Sequence, residues 1–351
     1  MKALVTGGAG FIGQWTARRM SSAWDVTALD SLSEQVHQDP EASARAFPGA
    51  VVRGDVTDEG VWRRLERPDV VIHLAAETGT AQSMYEFDRY RRVNVGGTRL
   101  AAEMAAAWGV PIVAMSSRAV YGEGRYRHSD QTISFGGTDD PTAVPAASRE
   151  SDEHRPVSVY GETKSEGEAL LTEFAGRIPI TVVRPQNVVG PGQALHNPYT
   201  GVLAAFLARM REGKPVLVYG DGEQTRDFVA VQDVAALLEW LAVHPPEVGQ
   251  IRVLNAGTGV RSTMNQIGMY ALSGAPEEGH GLLHVDVHRS GDIAHACSDQ
   301  SHSREVGAPQ PGISTQEAVA AFTRWAWDRP KASSHLWDDA LQELADRGMS
   351  G

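Results

Sequence analysis

The chain has 351 residues, 42% of them hydrophobic and 22% charged, with a formal net charge of −12 at pH 7. That length allows one large α/β domain with a smaller partner region, and the negative balance argues against a nucleic-acid or anionic-membrane surface. The one cysteine, Cys297, excludes an internal disulfide framework, and with no basic-then-apolar leader and no apolar run of membrane-spanning length the expected compartment is the cytoplasm.

Taken in chain order, short apolar runs alternate with helical patterns. Strands are expected over 3–6, 26–29, 51–53, 70–74 and 112–116, and helices near 12–21 and 93–108. This alternation points to an α/β fold with a parallel sheet covered on both faces. Val70-Val71-Ile72-His73-Leu74 is nearly all apolar, as suits a strand buried on both sides. From 122 to 156 the pattern fails, and this stretch rich in Gly, Asp, Ser, Thr and Pro reads as a long functional loop. A helix over 161–175 and a strand over 180–184 follow. Beyond Pro185, the punctuation by Gly190-Pro191-Gly192, Asn197-Pro198, Gly220 and Gly222 marks a second, smaller region. Ser314-Thr315-Gln316-Glu317 is a capping box opening a helix to about Trp327. Leu336, Ala340, Leu341 and Leu344 share one face of a last amphipathic helix.

Gly8-Ala9-Gly10-Phe11-Ile12-Gly13 fits G-x-G-x-x-G, and Gly7, Gly10 and Gly13 also fit G-x-x-G-x-x-G. One glycine permits the tight turn, one lets backbone approach a pyrophosphate, and one lets helix pack on strand, with the phosphates at a helix N-terminus. The motif follows a strand and precedes a helix, the context that gives it meaning. Asp30 ends the next strand, where a carboxylate binds a ribose 2′-hydroxyl and repels a 2′-phosphate. The expected cofactor is therefore NAD rather than NADP.

Tyr160 and Lys164 lie four apart on one helical face. A free phenol has a pKa of about 10, and an ammonium group beside a positive nicotinamide ring favours the phenolate. Lys164 is also placed to bond the nicotinamide ribose. Ser117 follows a parallel strand, at the edge where open α/β sheets bind ligands, and its hydroxyl can steer the reacting oxygen toward Tyr160.

These residues resemble the extended short-chain dehydrogenase/reductase family, in the branch acting on nucleotide-activated sugars. The likeness runs over about residues 1–327. It is carried by the glycine loop, Gly54-Asp55-Val56, His73-Leu74-Ala75-Ala76, Asn94-Val95-Gly96-Gly97-Thr98, Ser117, and Tyr160 with Lys164. Further marks are Arg184-Pro185-Gln186-Asn187, Gly190-Pro191-Gly192, Arg226-Asp227-Phe228-Val229 and Arg289-Ser290-Gly291-Asp292. The resemblance implies a Rossmann-type doubly wound sheet with a smaller C-terminal substrate-binding region. It assigns 1–183 to NAD, with 225–256 returning to that domain, 184–330 to substrate and 331–351 to a terminal helix or tail. By the same likeness Asp55 and Val56 contact adenine, while Leu74, Ala75, Ala76, Thr78, Asn94, Ser116 and Pro185 line the cofactor. Asn187, Arg226 and Arg289 hold the substrate diphosphate, Tyr219 stacks on its base, and Asn197 joins the substrate set. A homodimer pairing helices near 93–108 and 161–175 is implied.

Within the branch, 4,6-dehydratases carry an acidic pair after the catalytic hydroxyl residue, and decarboxylases a glutamate two after it. Here those positions hold Arg118 and Ala119, and Cys297 lies outside any motif of the C3/C5 epimerases. The resemblance leaves 4-epimerisation, or alternatively 4-keto reduction, and Asp30 with NAD favours the epimerase. The segments 77–84 and 197–202 are most similar to dTDP-L-rhamnose 4-epimerases, with UDP-glucose 4-epimerases the next likeness. Two departures from the simplest UDP-galactose pattern stand out: the longer loop between Tyr121 and Tyr160, and Gln186 in place of an aromatic residue. A non-catalytic NAD sensor is the reading from another class, and the Ser117, Tyr160, Lys164 set argues against it. The late histidines His280, His284, His288, His295 and His302 invite a metal, but the β-like run 282–287 would not place the first three on one face.

Overall fold

The computed structural model describes residues 1–195, 201–276, 281–286 and 293–329. Five strands alternate with helices in the first third: β1 Lys2–Thr6, β2 Asp25–Asp30, β3 Ala50–Arg53, β4 Val70–His73 and β5 Ile112–Met115. Each expected strand is present within one or two residues. Helices Phe11–Met20 and Gly97–Trp108 connect them. The second is preceded by a π-helical segment, Arg91–Gly96, which the apolar spacing did not distinguish from ordinary helix.

Residues 122–156 differ from the expected loop. They contain an antiparallel three-stranded sheet built of β6 Arg125–Arg127, β7 Ile133–Phe135 and β8 Val144–Ala146, in the order β7-β6-β8. Three-residue strands are too short for alternation to register, and Pro145 sits on an edge strand where it withholds no needed donor. His128 ties the insert together, its Nδ1 2.7 Å from Asp140 and its Nε2 2.8 Å from Ser134.

After helix Val159–Leu171 comes β9 Ile180–Pro185, and the main sheet is completed by a much later strand. Between them lie β10 Asn187–Val189, β11 Val216–Tyr219, β12 Thr225–Arg226 and β13 Phe228–Ala230, followed by helix Val231–Val243 and β14 Ile251–Ala256. The seven-stranded sheet has the order β14-β9-β5-β4-β1-β2-β3, and every pairing is parallel. The chain winds outward from β1 to β3, then returns to place β4 on the other flank of β1. That reversal opens a crevice at the carboxyl ends of β1 and β4.

Alternating side chains explain the two layers. Val70 and Ile72 of β4 join a core with Ala17, Met20, Val234 and Leu238 from helices Phe11–Met20 and Val231–Val243. Val71 faces the other way, toward Ala101, Ala105, Leu170 and Phe174. A third core belongs to the later residues, where Phe206, Ile267 and Phe322 pack together from helices Val202–Arg211, Met264–Ser273 and Thr315–Trp327. Two short pairings complete this part: β15 Ser262–Thr263 lies antiparallel to β12, and β16 Leu282–Val285 parallel to β11. Among the described residues no helix is long and apolar enough to cross a membrane. The expected helix beyond residue 330 lies outside the described residues.

The capping box is present as read. Ser314 Oγ accepts from the Glu317 amide at 3.2 Å, and Glu317 Oε2 accepts from the Ser314 amide at 3.0 Å. Ser314→Ala should therefore cost about 1 kcal/mol of stability, measurable as a lower urea midpoint with an unchanged slope. An unchanged midpoint would show that the third core alone holds this helix.

Candidate active site

The glycine loop is shaped by close backbone contacts. Gly7 has φ +65, and a Cβ there would stand 2.9 Å from both Cα and N of Ala75. A Cβ on Gly13 would meet the Gly8 carbonyl oxygen at 2.5 Å. Helix Phe11–Met20 has Gly10 as its N-cap, so no side chain covers its first turn. Phe11 and Ile12 occupy that turn. At the end of β2, Asp30 is 7% exposed. Its carboxylate accepts from the Ala9 amide at 3.0 Å and the Leu32 amide at 2.9 Å, and His37 Nε2 lies 3.5 Å away. His37 has no sequence signal, because an irregular turn folds it back seven residues. A glycine cradle open at a helix start and a buried carboxylate on the neighbouring strand end fit a dinucleotide.

The opposite wall of the crevice follows β4. Thr6 Oγ1 accepts from the Leu74 and Ala75 amides, each at 3.2 Å, and lies 2.8 Å from His73 Nδ1. The other His73 nitrogen stands 3.1 Å from Thr98 Oγ1, which itself donates to the Asn94 carbonyl at 2.6 Å. Thr98 thus accepts, so His73 carries its proton on Nε2 and Thr6 donates to Nδ1. Burial, with Lys164 nearby, holds His73 neutral by lowering its pKa to about 3. Asn94 is fully engaged: its Oδ1 accepts from the Glu77 amide, and its Nδ2 donates to the Glu77 carbonyl and to Thr163 Oγ1. It thereby holds the backbone of the 74–78 segment, where Ala76 is half-buried and Thr78 exposed. On the far flank, Asp55 pairs with Arg92 at 2.9 Å, and the Val56 carbonyl accepts from Trp62.

Helix Val159–Leu171 delivers the central residues. Ser158 caps it by accepting from the Gly161 amide at 3.2 Å. Gly161 permits a close approach, since a Cβ would sit 2.7 Å from the Ala119 carbonyl oxygen. That contact sets the first turn of the helix against the 3-10 turn Arg118–Tyr121, whose N-cap is Ser117. The half-buried Tyr160 phenol faces the Ser117 hydroxyl; burial raises its pKa, and Ser117 pulls the other way. One turn on, Lys164 Nζ donates to the Met115 carbonyl at the end of β5, at 2.9 Å. Burial lowers the Lys164 pKa to about 8, opposed by the negative charge of Glu168.

Glu168, a further turn along, was not anticipated, although the i, i+4 spacing from Lys164 was its signal. It accepts from Ser116 Oγ and forms a fork with Arg184, Nε to Oε1 at 3.0 Å and NH2 to Oε2 at 2.7 Å. Both side chains are buried, at 4% and 9% exposure. Arg184 also donates to the Tyr121 hydroxyl at 2.9 Å and to His154 Nε2 at 2.6 Å. Burial opposes its charge, but Glu168 and Tyr121 outweigh that and keep it cationic. Ser116, expected at the cofactor, is therefore bonded into this ion pair.

The remaining expected contacts gather where β9 and β14 end. Pro185 closes β9 opposite Ala256. The Asn187 amide donates to the Asp227 carbonyl, while its buried Oδ1 has no partner among the described residues, and neither has Oε1 of Gln186. Arg226 donates to the Thr225 and Ala294 carbonyls, and the Tyr219 carbonyl accepts from Gln224. Asn197 and Arg289 lie outside the described residues, as do His280 and His288. His284 bonds Asn265, and His295 bonds Thr225. Among the described residues no group of three or more His, Cys, Asp or Glu is arranged to hold a metal ion.

The buried ammonium has a measurable consequence. The Lys164 pKa of about 8 lies below its ordinary 10.5, so the folded chain holds this proton less firmly than the unfolded chain. The resulting penalty is full below about pH 8 and fades as the pH rises toward 10.5. Lys164→Met should thus melt above wild type at pH 7, by a margin that shrinks across that window. A pH-independent margin would contradict the burial of this charge.

Residues 3–257 match the model of the NAD dependent epimerase/dehydratase family. A dTDP-L-rhamnose 4-epimerase from Burkholderia thailandensis is 36% identical over 349 residues, covering 92% of this chain and 94% of that protein. A UDP-glucose 4-epimerase from Mycolicibacterium smegmatis is 30% identical over 329 residues, covering 91% of this chain and 96% of its own. The crystal structure of UDP-glucose 4-epimerase with UDP-glucose from Thermotoga maritima superposes with a TM-score of 0.75 at 29% identity, covering 93% of this chain and 98% of that one. With the glycine cradle, the reversed strand order and the Ser117–Tyr160 pair in place, this chain belongs to the NAD dependent epimerase/dehydratase family, among the extended short-chain dehydrogenases/reductases.

Proposed function

We propose that this protein inverts C4 of a nucleotide-activated hexose, of the dTDP- or UDP-sugar class, through a transient 4-keto sugar. The observation that carries this reading is the meeting of the Tyr160 phenol with the Ser117 hydroxyl at the carboxyl edge of the sheet, with Lys164 one turn away and donating to the Met115 carbonyl. The relatives that are dTDP-L-rhamnose and UDP-glucose 4-epimerases support the same substrate class.

NAD, when bound, supplies a hydride acceptor at its nicotinamide and then a donor. Gly7, Gly10 and Gly13 would hold its pyrophosphate, and Asp30 a ribose diol. Lys164 donates to one described acceptor, the Met115 carbonyl, leaving its other N–H bonds for the second ribose. Its charge favours the Tyr160 phenolate, and Ser117 donates to that oxygen. Tyr160 takes the C4 hydroxyl proton as the alcohol is oxidised and returns it after the sugar has turned over. Ser117 holds the C4 oxygen within reach in both half-reactions. Asn187, with its unpartnered buried oxygen, binds the substrate, together with Arg226, Tyr219, Asn197 and Arg289. Arg118 and Ala119 offer no carboxylate beside the reacting carbon, which disfavours elimination or decarboxylation.

Residues 1–183 with 225–256 serve the cofactor in this reading, and 184–330 the sugar nucleotide. A cytoplasmic homodimer paired through helices near 93–108 and 161–175 completes it. That proposal is tested by the mass of the protein in solution.

Incubation with dTDP-L-rhamnose, UDP-glucose and UDP-galactose, followed by NMR of the products, should reveal C4 inversion of at least one without added reductant. Stoichiometric oxidation of added NADPH would instead identify a reductase, and inertness toward every sugar nucleotide a sensor. Tyr160→Phe should retain NAD and lose roughly 100- to 10,000-fold in turnover. A fully active variant would remove the phenol from the mechanism.

A further inference from the structure

Two loops leave the carboxyl edge on either side of β1, because the strand order there is β4-β1-β2. One follows β2 and carries Gln35; the other follows β4 and carries Gln82. Their carboxamides meet across β1. Gln35 Nε2 donates to Gln82 Oε1 at 2.7 Å, and Gln82 Nε2 returns a longer bond of 3.4 Å. Arg89 braces the junction, its NH2 donating to Gln35 Oε1 at 3.0 Å and to Glu77 Oε2 at 2.9 Å, and its NH1 to Glu86 at 3.0 Å. Gln82 is only 5% exposed, and its carboxamide also donates to Glu86 at 3.2 Å and accepts from the Tyr90 hydroxyl at 3.4 Å, so the Gln35 bond of 2.7 Å is its shortest.

The bridge spans the end of the strand that bears the glycine loop. Its near foot lies on the loop that begins after Asp30, its far foot on the segment that continues from Ala75, Ala76 and Thr78. A dinucleotide running from Asp30 across Gly7–Gly13 toward Tyr160 would cross the same strand end. The far foot is also joined to the reacting centre: Ser83, next to Gln82, accepts from the Tyr160 amide at 3.0 Å and donates to the Thr80 carbonyl at 2.6 Å.

We propose that Gln35, Gln82 and Arg89 form a clasp across the cofactor cleft that retains NAD through both halves of the catalytic cycle. The inference rests on the epimerase reading, in which the hydride taken from the sugar must return to it. A cofactor that left between the two transfers would strand a 4-keto sugar. Entry and exit of NAD then require the two carboxamides to part, so the exchange rate reports the clasp directly.

The test is exchange of bound NAD against labelled NAD on the purified holoenzyme. Gln35→Ala and Gln82→Ala should each exchange about tenfold faster than wild type, the factor that corresponds to 1.4 kcal/mol. Because each breaks the Gln35–Gln82 bridge, the double variant should exchange much less than about a hundredfold faster, the product of the two single factors. Variants that exchange at the wild-type rate, or whose factors multiply, would overturn the clasp while leaving the epimerase reading intact. Wild-type protein unable to hold NAD would overturn both. Gln35 is half-buried on a loop, so Gln35→Ala decides the matter alone should Gln82→Ala fail to fold.

Discussion

The backbone contact between Gly7 and Ala75 is the constraint on which the rest depends. A single methyl group on Gly7 would stand 2.9 Å from the Ala75 main chain, and φ +65 already disfavours any other residue there. The contact sets the ends of β1 and β4 side by side where the strand order reverses. Thr6 secures the arrangement by accepting two amides of the β4 exit and donating to His73. With those ends fixed, the glycine turn, the 74–78 wall and the helix start converge on one crevice.

Beside that crevice the protein keeps an unusual number of polar groups dry. Lys164, His73, Glu168 and Arg184 are all buried, and each loses hydration in the fold. Glu168 and Arg184 compensate one another through a bidentate fork, the geometry in which a buried ion pair is best retained. His73 escapes the cost by staying neutral. Lys164 has neither remedy in full: it holds one carbonyl bond and feels Glu168 a turn away, and its pKa drops to about 8. A cation held so weakly is ready to stabilise a nearby phenolate. The low dielectric between helix Val159–Leu171 and β5 lowers the Lys164 pKa and raises that of Tyr160, so the phenolate assigned to the reaction depends on the ammonium charge beside it.

Much of this was legible because the motifs are local. Gly7 to Gly13 sit between a strand and a helix, Asp30 ends the next strand, and Tyr160 with Lys164 needs only helical spacing to share a face. The parallel sheet followed from the apolar runs, since strands buried on both sides carry nearly continuous Val and Ile. What escaped was short or distant. The insert between residues 122 and 156 is held by His128 reaching Asp140 and Ser134, contacts that three-residue strands do not announce. Gln35 and Gln82 are 47 positions apart, and nothing in either segment marks them as partners. His37 reaches Asp30 through a turn with no periodicity. Gly161 was within view in the Tyr-Gly-Glu-Thr-Lys segment, but its need to approach Ala119 is tertiary.

A reaction that begins and ends with oxidised cofactor places opposite demands on the two ligands. The sugar must loosen enough at its ring to present its other face, while the nicotinamide must stay where the hydride left it. In the proposed reading these demands are separated in space. The cofactor crevice is lined by parallel strand ends, backbone amides and the Gln35–Gln82 bridge, all joined by bonds that span the sheet. In that reading the sugar side is assembled from later segments, where Gln186 and Asn187 keep buried oxygens with no partner among the described residues. Unsatisfied acceptors of that kind favour a hydroxyl-rich ligand but prescribe no single pose, since either face of a pyranose ring offers donors. Rigidity under the cofactor and latitude around the sugar are together what inversion at one carbon requires. Ser83 joins the two halves, its side chain held to Thr80 on the clasp side and to the first turn of the Tyr160 helix on the other.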